Sequence, residues 1–496
     1  MSLKLIFLVL ASAAYSYLFY HQTAGINFLI FVSIIIVFMV IAQPEYLKNK
    51  IWCGAAAGSI LSGMAIVWQH SSLAVFANIC SLILVMGIGY KFRTSVYMGL
   101  IKGGITCGFS FFLKIFDKLM NTEEGTKAAN PANFSVTRML AFYIIPLCVT
   151  VVFYMLYASA NPVFEHFFHF PDIEISAEFV LFSLGGIILI TGFFFPFEYL
   201  KLNEWDSQQP DTLLRIRQKV KRHFILVAIK IENKKGVILL SLLNILLLIL
   251  NIVDGTFIFS GQELPKGVDY SQYVHQGVNT LIVSILLAIS IILYFFRGNQ
   301  NFYQRNQWLV RLTCLWILQN GFLLVSIIYK NQLYIHEFGL TYKRIGVYVY
   351  LLLTLIGLIT TSLKVLQKKT NWYLLRKNTR AGYFILVLSS FVNWDAIIAN
   401  YNIYYARKLD VTYLLSLSNN VLPELNTLLY DSKAKLNPFI IDNSNIKSSY
   451  TPPYISQREF IVKRIEQFRN DYEKKQWQSW NYAESEILKQ LNAKKL

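Results

Sequence analysis

His166 and His169 stand three residues apart beside Glu165, Asp172 and Glu174. On a helix that spacing brings two imidazoles to one face, with carboxylates near enough to complete a divalent-metal site. Imidazoles titrating near neutral pH could also sense external acidity. The plainer reading is that His, like Tyr and Trp, tolerates a membrane interface. A second group consists of amides, since Asn244, Asn251, Gln319 and Asn320 lie in otherwise apolar runs. Asn244 and Asn251 are seven residues apart and share a helix face. There they would either hydrogen-bond to a neighbouring helix or line the path of a small solute. An ion-coupled transporter or proton relay would also need carboxylates near the middle of its spans, and none is evident. No Ser-His-Asp spacing, HExxH, phosphate loop or glycine-rich dinucleotide turn is present. The expectation is a non-enzymatic protein without a cofactor, a metal-dependent membrane enzyme being the remotest alternative.

The elements that would position these residues follow from composition. Of 496 residues, 55% are hydrophobic and 15% charged, with mean hydropathy +0.44. One water-soluble core cannot hide that much apolar surface, so a bilayer must be the solvent. The formal net charge of +18 comes from Lys and Arg gathered in short runs between apolar segments. That is the positive-inside pattern and not a separable nucleic-acid module. The five cysteines lie in apolar stretches without paired spacing, which predicts no disulfide framework or zinc site.

The segment from Gly236 to Arg297 reads as a hairpin, with arms Val237–Val253 and Val278–Phe296 and a polar loop Asp254–Gln276. Each arm is about long enough for a hydrocarbon core of roughly 30 Å. Similar segments recur at Leu5–Tyr20, Ile26–Ala42, Ile51–Trp68, Ser72–Tyr90, Met139–Ala158, Phe179–Phe195, Leu309–Tyr329, Ile345–Leu363 and Ala381–Val392. The predicted fold is therefore all-α, a polytopic membrane bundle of about eleven spans. Basic connections at 201–235, 297–311 and 364–380 place the N-terminus in the cytoplasm and the tail in the periplasm. This assignment leaves Val96–Phe116 as an interfacial or re-entrant segment, its Lys102 reaching the membrane surface. The alternative is an extra span with Lys102 packed against other helices.

Four regions result: 1–95 with four spans, 96–138 as interfacial segment and loop, 139–396 as membrane core, and a soluble helical tail over 397–496. Within the tail, Asp410 can cap a helix, and Ile461, Ile465, Phe468 and Tyr472 share one helical face. Gly54, Gly58 and Ser62, four residues apart, would let another helix approach the third span closely. Thr212–Ile231 reads as a basic amphipathic helix whose partner is either anionic inner-leaflet lipid or the protein's own cytoplasmic ends.

Several stretches resemble the bacterial membrane-protein family known as domain of unknown function 4173, with its relative 4153. They are Ala158 to Phe164, Leu264 to Gly267 with Tyr270 to Gly277, Phe295 to Asn299, Phe338 to Thr341 with Arg344, Asn393 to Asn402, Leu409 to Ser418, and Trp477 to Asn481. The resemblance runs from about Arg138 to the C-terminus and leaves the first four spans unmatched. One departure is Asn161, where the family pattern has a carboxylate. The resemblance implies a multi-span bacterial inner-membrane protein of the Bacteroidota type and no activity. Its recognisable words fall at predicted outer loops and the start of the tail. Tyr273, His275 and Asn161 are therefore expected to contact or sense an envelope protein partner. Asn393 and Asp395 are expected to tie the tail to the bundle, and Gly339 and Arg344 to shape the neighbouring loop.

Overall fold

A computed structural model describes residues 3–89, 94–120, 176–196, 200–215, 222–260, 270–407, 409–430 and 457–493, with isolated positions between 150 and 157 and the pairs 441–442 and 454–455. Asn161, His166 and His169, and the expected span Met139–Ala158 apart from isolated positions, lie outside the described residues. The described chain is helical, save for a two-residue antiparallel ladder pairing Ile441 with Ile455 and Asp442 with Tyr454. It forms two compact units, one of residues 1–207, 387–391 and 474–483, the other of 208–386, 392–473 and 484–496. The hundred residues read from sequence as one separate tail are thus shared between the two.

The first unit contains α1 (Leu3–Phe19), α2 (Ile26–Ala42), α3 (Lys50–Gln69), α4 (Ser72–Gly87), α5 (Val96–Met120), α6 (Ala177–Phe194) and α7 (Leu200–Gln208). Local chemistry sets their ends. Asn49 caps α3 by accepting from the Ile51 and Trp52 amides, Ser71 caps α4 and Ser176 caps α6. Both ends of α1 are pinned to partners. Lys4 Nζ reaches Gln43 Oε1 at 3.1 Å just past α2, while Tyr20, just past α1, meets Ser176 at the head of α6. Along the way Ser16 Oγ donates to Ser183 at 2.8 Å and Tyr15 stacks on Phe182. Hence α1 and α6 are antiparallel.

Of the small residues expected on the close face of α3, Gly58 and Ser62 are buried and Gly54 is not. Gly54 is exposed with open space around it, whereas Gly63 lies against the backbone of Leu29 in α2. Ser59 and Ser62 meet Asn78 of α4, whose amide donates at 2.8 and 3.1 Å. The tightest pairing is between α4 and α5. A Cβ on Gly87 would collide with the Gly99 carbonyl, and one on Gly103 with the Ile83 carbonyl. Residues 96–116 therefore belong to one continuous 25-residue helix packed antiparallel to α4. Its Lys102 does not reach a surface; it is 4% exposed and close to the charge of Asp206. Asp206, wholly buried, accepts from the Ser95 amide at 2.7 Å and from Tyr97 Oη at 2.8 Å at the head of α5. A negative charge there complements the helix N-terminus.

The connection between α1 and α2 carries a piece of the tail. Ile26 N donates to Trp480 O at 2.9 Å, Thr23 N to Ser479 Oγ at 2.9 Å, and Tyr482 stacks on Trp68 at 4.7 Å. The approach is possible because residue 25 is Gly, since a Cβ there would sit 2.6 Å from the Ser479 carbonyl carbon.

The second unit contains α8 (Arg222–Ser260), α9 (Tyr270–Phe295), α10 (Gln307–Phe338), α11 (Tyr342–Leu366), α13 (Trp394–Tyr404), α14 (Val411–Leu415), α15 (Leu422–Tyr430) and α16 (Gln457–Glu473), with most of α12 (Asn371–Ser389) and α17 (Tyr482–Ala493). Two expectations change here. The polar loop expected over 254–276 is shorter, because α8 runs on to Ser260 and α9 starts at Tyr270. The hairpin arms are also not each other's main partner; α8 packs chiefly on α10. Of the helix expected over 212–231, the described residues from Arg222 on are helical, and 216–221 lie outside the described residues. Before it, after Pro210, Leu213 N donates to Lys368 O at 2.9 Å and the Thr370 amide to Asp211 O at 3.0 Å, an extended strap rather than a helix. An Arg376–Asp211 ion pair at 2.7 Å holds it.

Ile461, Ile465 and Phe468 are buried as their spacing predicts, packed with Leu414, Leu425 and Ile398 in the core of the tail helices. Asp410 caps α14, accepting from the Tyr413 amide at 3.0 Å. Replacing Gly25 with Ala should cost about 1 to 3 kcal/mol, the usual range for overpacking. Limited proteolysis of the purified protein should then show earlier cleavage near residues 474–483 than in wild type.

Candidate functional site

Two polar arrangements stand out in the second unit. The first is a seam between α8 and α10. Leu240, Asn244, Leu247, Asn251 and Asp254 alternate by four and three residues, as do Leu309, Leu312, Trp316, Gln319, Leu323, Ser326 and Lys330. That is heptad spacing, which keeps one stripe of each helix on its partner. The pairs climb together. Asn244 Nδ2 donates to Leu312 O at 3.1 Å, Gln319 Nε2 to Asn244 Oδ1 at 3.2 Å, and Asn251 Nδ2 to Gln319 O at 3.3 Å. The two helices are therefore parallel. Asn320 lies off the seam and turns back to Trp316 O at 2.7 Å.

At the top of the seam sits an ion pair. Lys330 Nζ lies 2.9 Å from both oxygens of Asp254, and Ser326 Oγ donates to the same carboxylate at 2.6 Å. Both charged side chains are 7% exposed. In a low-dielectric setting an isolated charge is very costly, so each neutralises the other and Ser326 adds a further donor. Sequence reading missed this pair because Asp254 and Lys330 were both assigned just beyond their apolar runs. Heptad spacing, continued past the apolar residues, is the signal that reaches them. A further buried lysine, Lys364, donates through Nζ to Phe296 O, 2.8 Å away, just past the C-terminal end of α9.

The second arrangement is a collar where α10 and α11 meet the tail helices. Gly339 ends α10 with φ +78, which an L side chain rarely adopts, and a Cβ there would also crowd Asn402. Arg344 stacks over Tyr334 at 4.1 Å and donates to Phe338 O at 2.8 Å and to Gly339 O, satisfying the open carbonyls. Asn402 of α13 exchanges hydrogen bonds with both backbone groups of Leu340. Asn393 caps α13 through the Ala396 amide at 3.1 Å. Asp395, 5% exposed, accepts from Tyr342 Oη at 2.7 Å and from Ser418 Oγ. Further out, Arg464 of α16 donates to Leu415 O at 2.7 Å and Leu417 O at 2.6 Å. Burial lowers its pKa from the ordinary guanidinium value, with the Asp395 charge acting the other way.

The structure thus brings Gly339, Arg344, Asn393 and Asp395 into one collar, joined by Asn402, Tyr342 and Arg464, which sequence reading did not single out. Tyr273 and His275 fall in the first turns of α9. Among the described residues no cluster of three His, Cys, Asp or Glu could hold a metal ion.

Among the described residues, five helices, Lys50–Gln69, Ala177–Phe194, Val227–Thr256, Gln307–Phe338 and Tyr342–Leu366, are long and apolar enough to cross a membrane. A sixth span arises if α12 and α13, bent by 67° at their junction, count as one, and further apolar helices are shorter. This architecture fits a helical membrane protein of several spans. The chain belongs to the family described as a domain of unknown function (DUF4153), whose model matches residues 5–428. The match corrects the extent of the sequence resemblance, for it includes the first four apolar segments and stops short of the final helices. The family matched is DUF4153, the relative named with DUF4173 in the sequence resemblance. No curated protein and no solved structure matches the chain.

Replacing Asp395 with Ala removes the acceptor shared by Tyr342 and Ser418. Hydrogen bonds to a charged group contribute about 1.5 to 3 kcal/mol each. In hydrogen-exchange mass spectrometry the amides of 411–421 should exchange about tenfold faster or more in the variant, while those of α8 and α10 stay at wild-type rates.

Proposed function

We propose that the protein is a non-enzymatic scaffold of the bacterial inner membrane, with about eleven spans carrying a helical platform for another envelope component. The observation that supports this reading is the collar. Gly339, Arg344, Asp395 and Asn402 knit the ends of α10 and α11 to the first helices of the tail, so the tail is built onto the spans and not tethered to them. A tail anchored in this way presents a surface of fixed geometry, which suits docking better than catalysis. The seam residues Asn244, Asn251 and Gln319 bond to one another across helices, an arrangement that favours internal packing over a solute path.

Sidedness is part of the proposal. In the first unit the tail segment 476–482 lies on the turn between α1 and α2, at the end of α1 opposite Lys4. The basic connection with Lys48 and Lys50 lies at the Lys4 end. With the positive end in the cytoplasm, that turn and the tail segment on it face the periplasm. For the second unit the basic connections at 297–311 and 364–380 support the proposal on their own, with Tyr273, His275 and the collar on the outer side, where a partner would be met. Anionic lipid remains the proposed partner of the basic stretch at 212–231, on the inner side.

Lys489 is exposed and suits a labelling test better than the buried Ser479. In a background with native cysteines replaced, Lys489→Cys should react with an impermeant maleimide in intact spheroplasts. Protection until lysis would put the platform in the cytoplasm and remove the envelope-partner reading.

A further inference from the structure

The seam between α8 and α10 borders a groove of about 760 Å³ whose third wall is α11. Its volume lies within the range of small-molecule sites, about 300 to 1,000 Å³. The walls are Leu, Ile, Val and Phe with Gly321, and the polar side chains among them are Asn251, Gln319 and Ser362. Leu318 and Ile252 on its rim are 71% and 57% exposed, so the groove opens sideways to whatever surrounds the helices.

The two amides in the lining are only 9% and 8% exposed, and each donates one hydrogen bond through its nitrogen. Asn251 Nδ2 donates to Gln319 O, and Gln319 Nε2 donates to Asn244 Oδ1. The remaining atoms, Asn251 Oδ1 and Gln319 Oε1, are buried and accept no hydrogen bond among the described residues. Buried polar atoms are seldom left so, and two acceptors at one apolar groove call for a donor on the occupant. Lys330, higher on the same seam, is engaged by Asp254.

We propose that this groove holds a single membrane lipid that carries a free hydroxyl at the head of its apolar chains. Length separates a lipid from a helix as occupant. Along α10 the groove runs from Ile317 to Val325, about 12 Å at 1.5 Å per residue, whereas a membrane-crossing helix needs roughly 30 Å of contact. A helix would also bring no backbone donors, since its own N–H groups are bonded internally. The lipid's hydroxyl would bond Asn251 Oδ1 and Gln319 Oε1, and a chain would run between α10 and α11 past Leu355 and Ile359.

The test uses the full-length protein in phosphatidylcholine nanodiscs with two photoactivatable lipids. One is diacylglycerol with a diazirine in an acyl chain, and the other is the same lipid with its hydroxyl methylated. The free hydroxyl should raise labelling of peptides 248–252 and 317–325 about fivefold, as one net hydrogen bond gives. In Asn251→Leu and in Gln319→Leu the ratio should fall towards one, while labelling by the methylated lipid stays at its wild-type level and reports an intact groove. Equal labelling by the two lipids in the wild-type protein would overturn the proposal. So would a cross-link joining these peptides to a second copy of the chain in place of the lipid.

Discussion

The packing of α8 against α10 depends on one rule, that polar groups removed from water must find partners within the protein. Asp254 and Lys330 obey it most visibly, each holding the other's charge with Ser326 as a further donor. The amide contacts of Asn244, Asn251 and Gln319 run beneath them in the same heptad register. Apolar contacts between helices surrounded by lipid carry little preference for register, because lipid tails are as apolar as Leu. Polar contacts at fixed heights specify which helix pairs with which and in what register. They explain why α8 packs parallel to α10 instead of closing a hairpin with α9.

The same rule shapes the other junctions. Asp206 lies at the head of α5, Lys364 at the foot of α9, and Arg344 over the open carbonyls that end α10. Each places a charge where backbone groups at a helix end lack partners. The collar extends this into the tail, where Asp395 and Arg464 bond to turns that would otherwise leave their carbonyls and hydroxyls unmet. The closest backbone approaches fall to glycines, as at Gly87 with Gly103 and at Gly25 with the tail.

Much of this was legible in the sequence, and the limits have physical causes. Long runs of Leu, Ile and Phe announce most of the helices, since nothing else satisfies that composition. Asp410 and the Ile461, Ile465, Phe468 stripe give the tail helices away by capping and by period. Gly339, Arg344 and Asp395 were found by family resemblance, with no hint of the hydrogen bonds they make. Helix ends were less readable, because α8 and α9 continue through polar residues that composition assigns to loops. Lys102 was placed at a surface because its neutralising partner, Asp206, is 104 residues away in sequence. The strap at 211–215 has helical-looking periodicity, yet its backbone pairs with residues 368–370, a long-range choice that no local pattern encodes.

The most direct test of this account is the coupling between Asp254 and Lys330, measured by equilibrium unfolding in lipid nanodiscs of Asp254→Asn, Lys330→Met and the double variant. Breaking a buried pair from one side costs about 3 to 5 kcal/mol, because a charge is left unmatched. The account predicts such a loss in Lys330→Met and recovery of most of it in the double variant. Losses that simply add would show that the two side chains act independently, and would contradict a seam held by their mutual neutralisation.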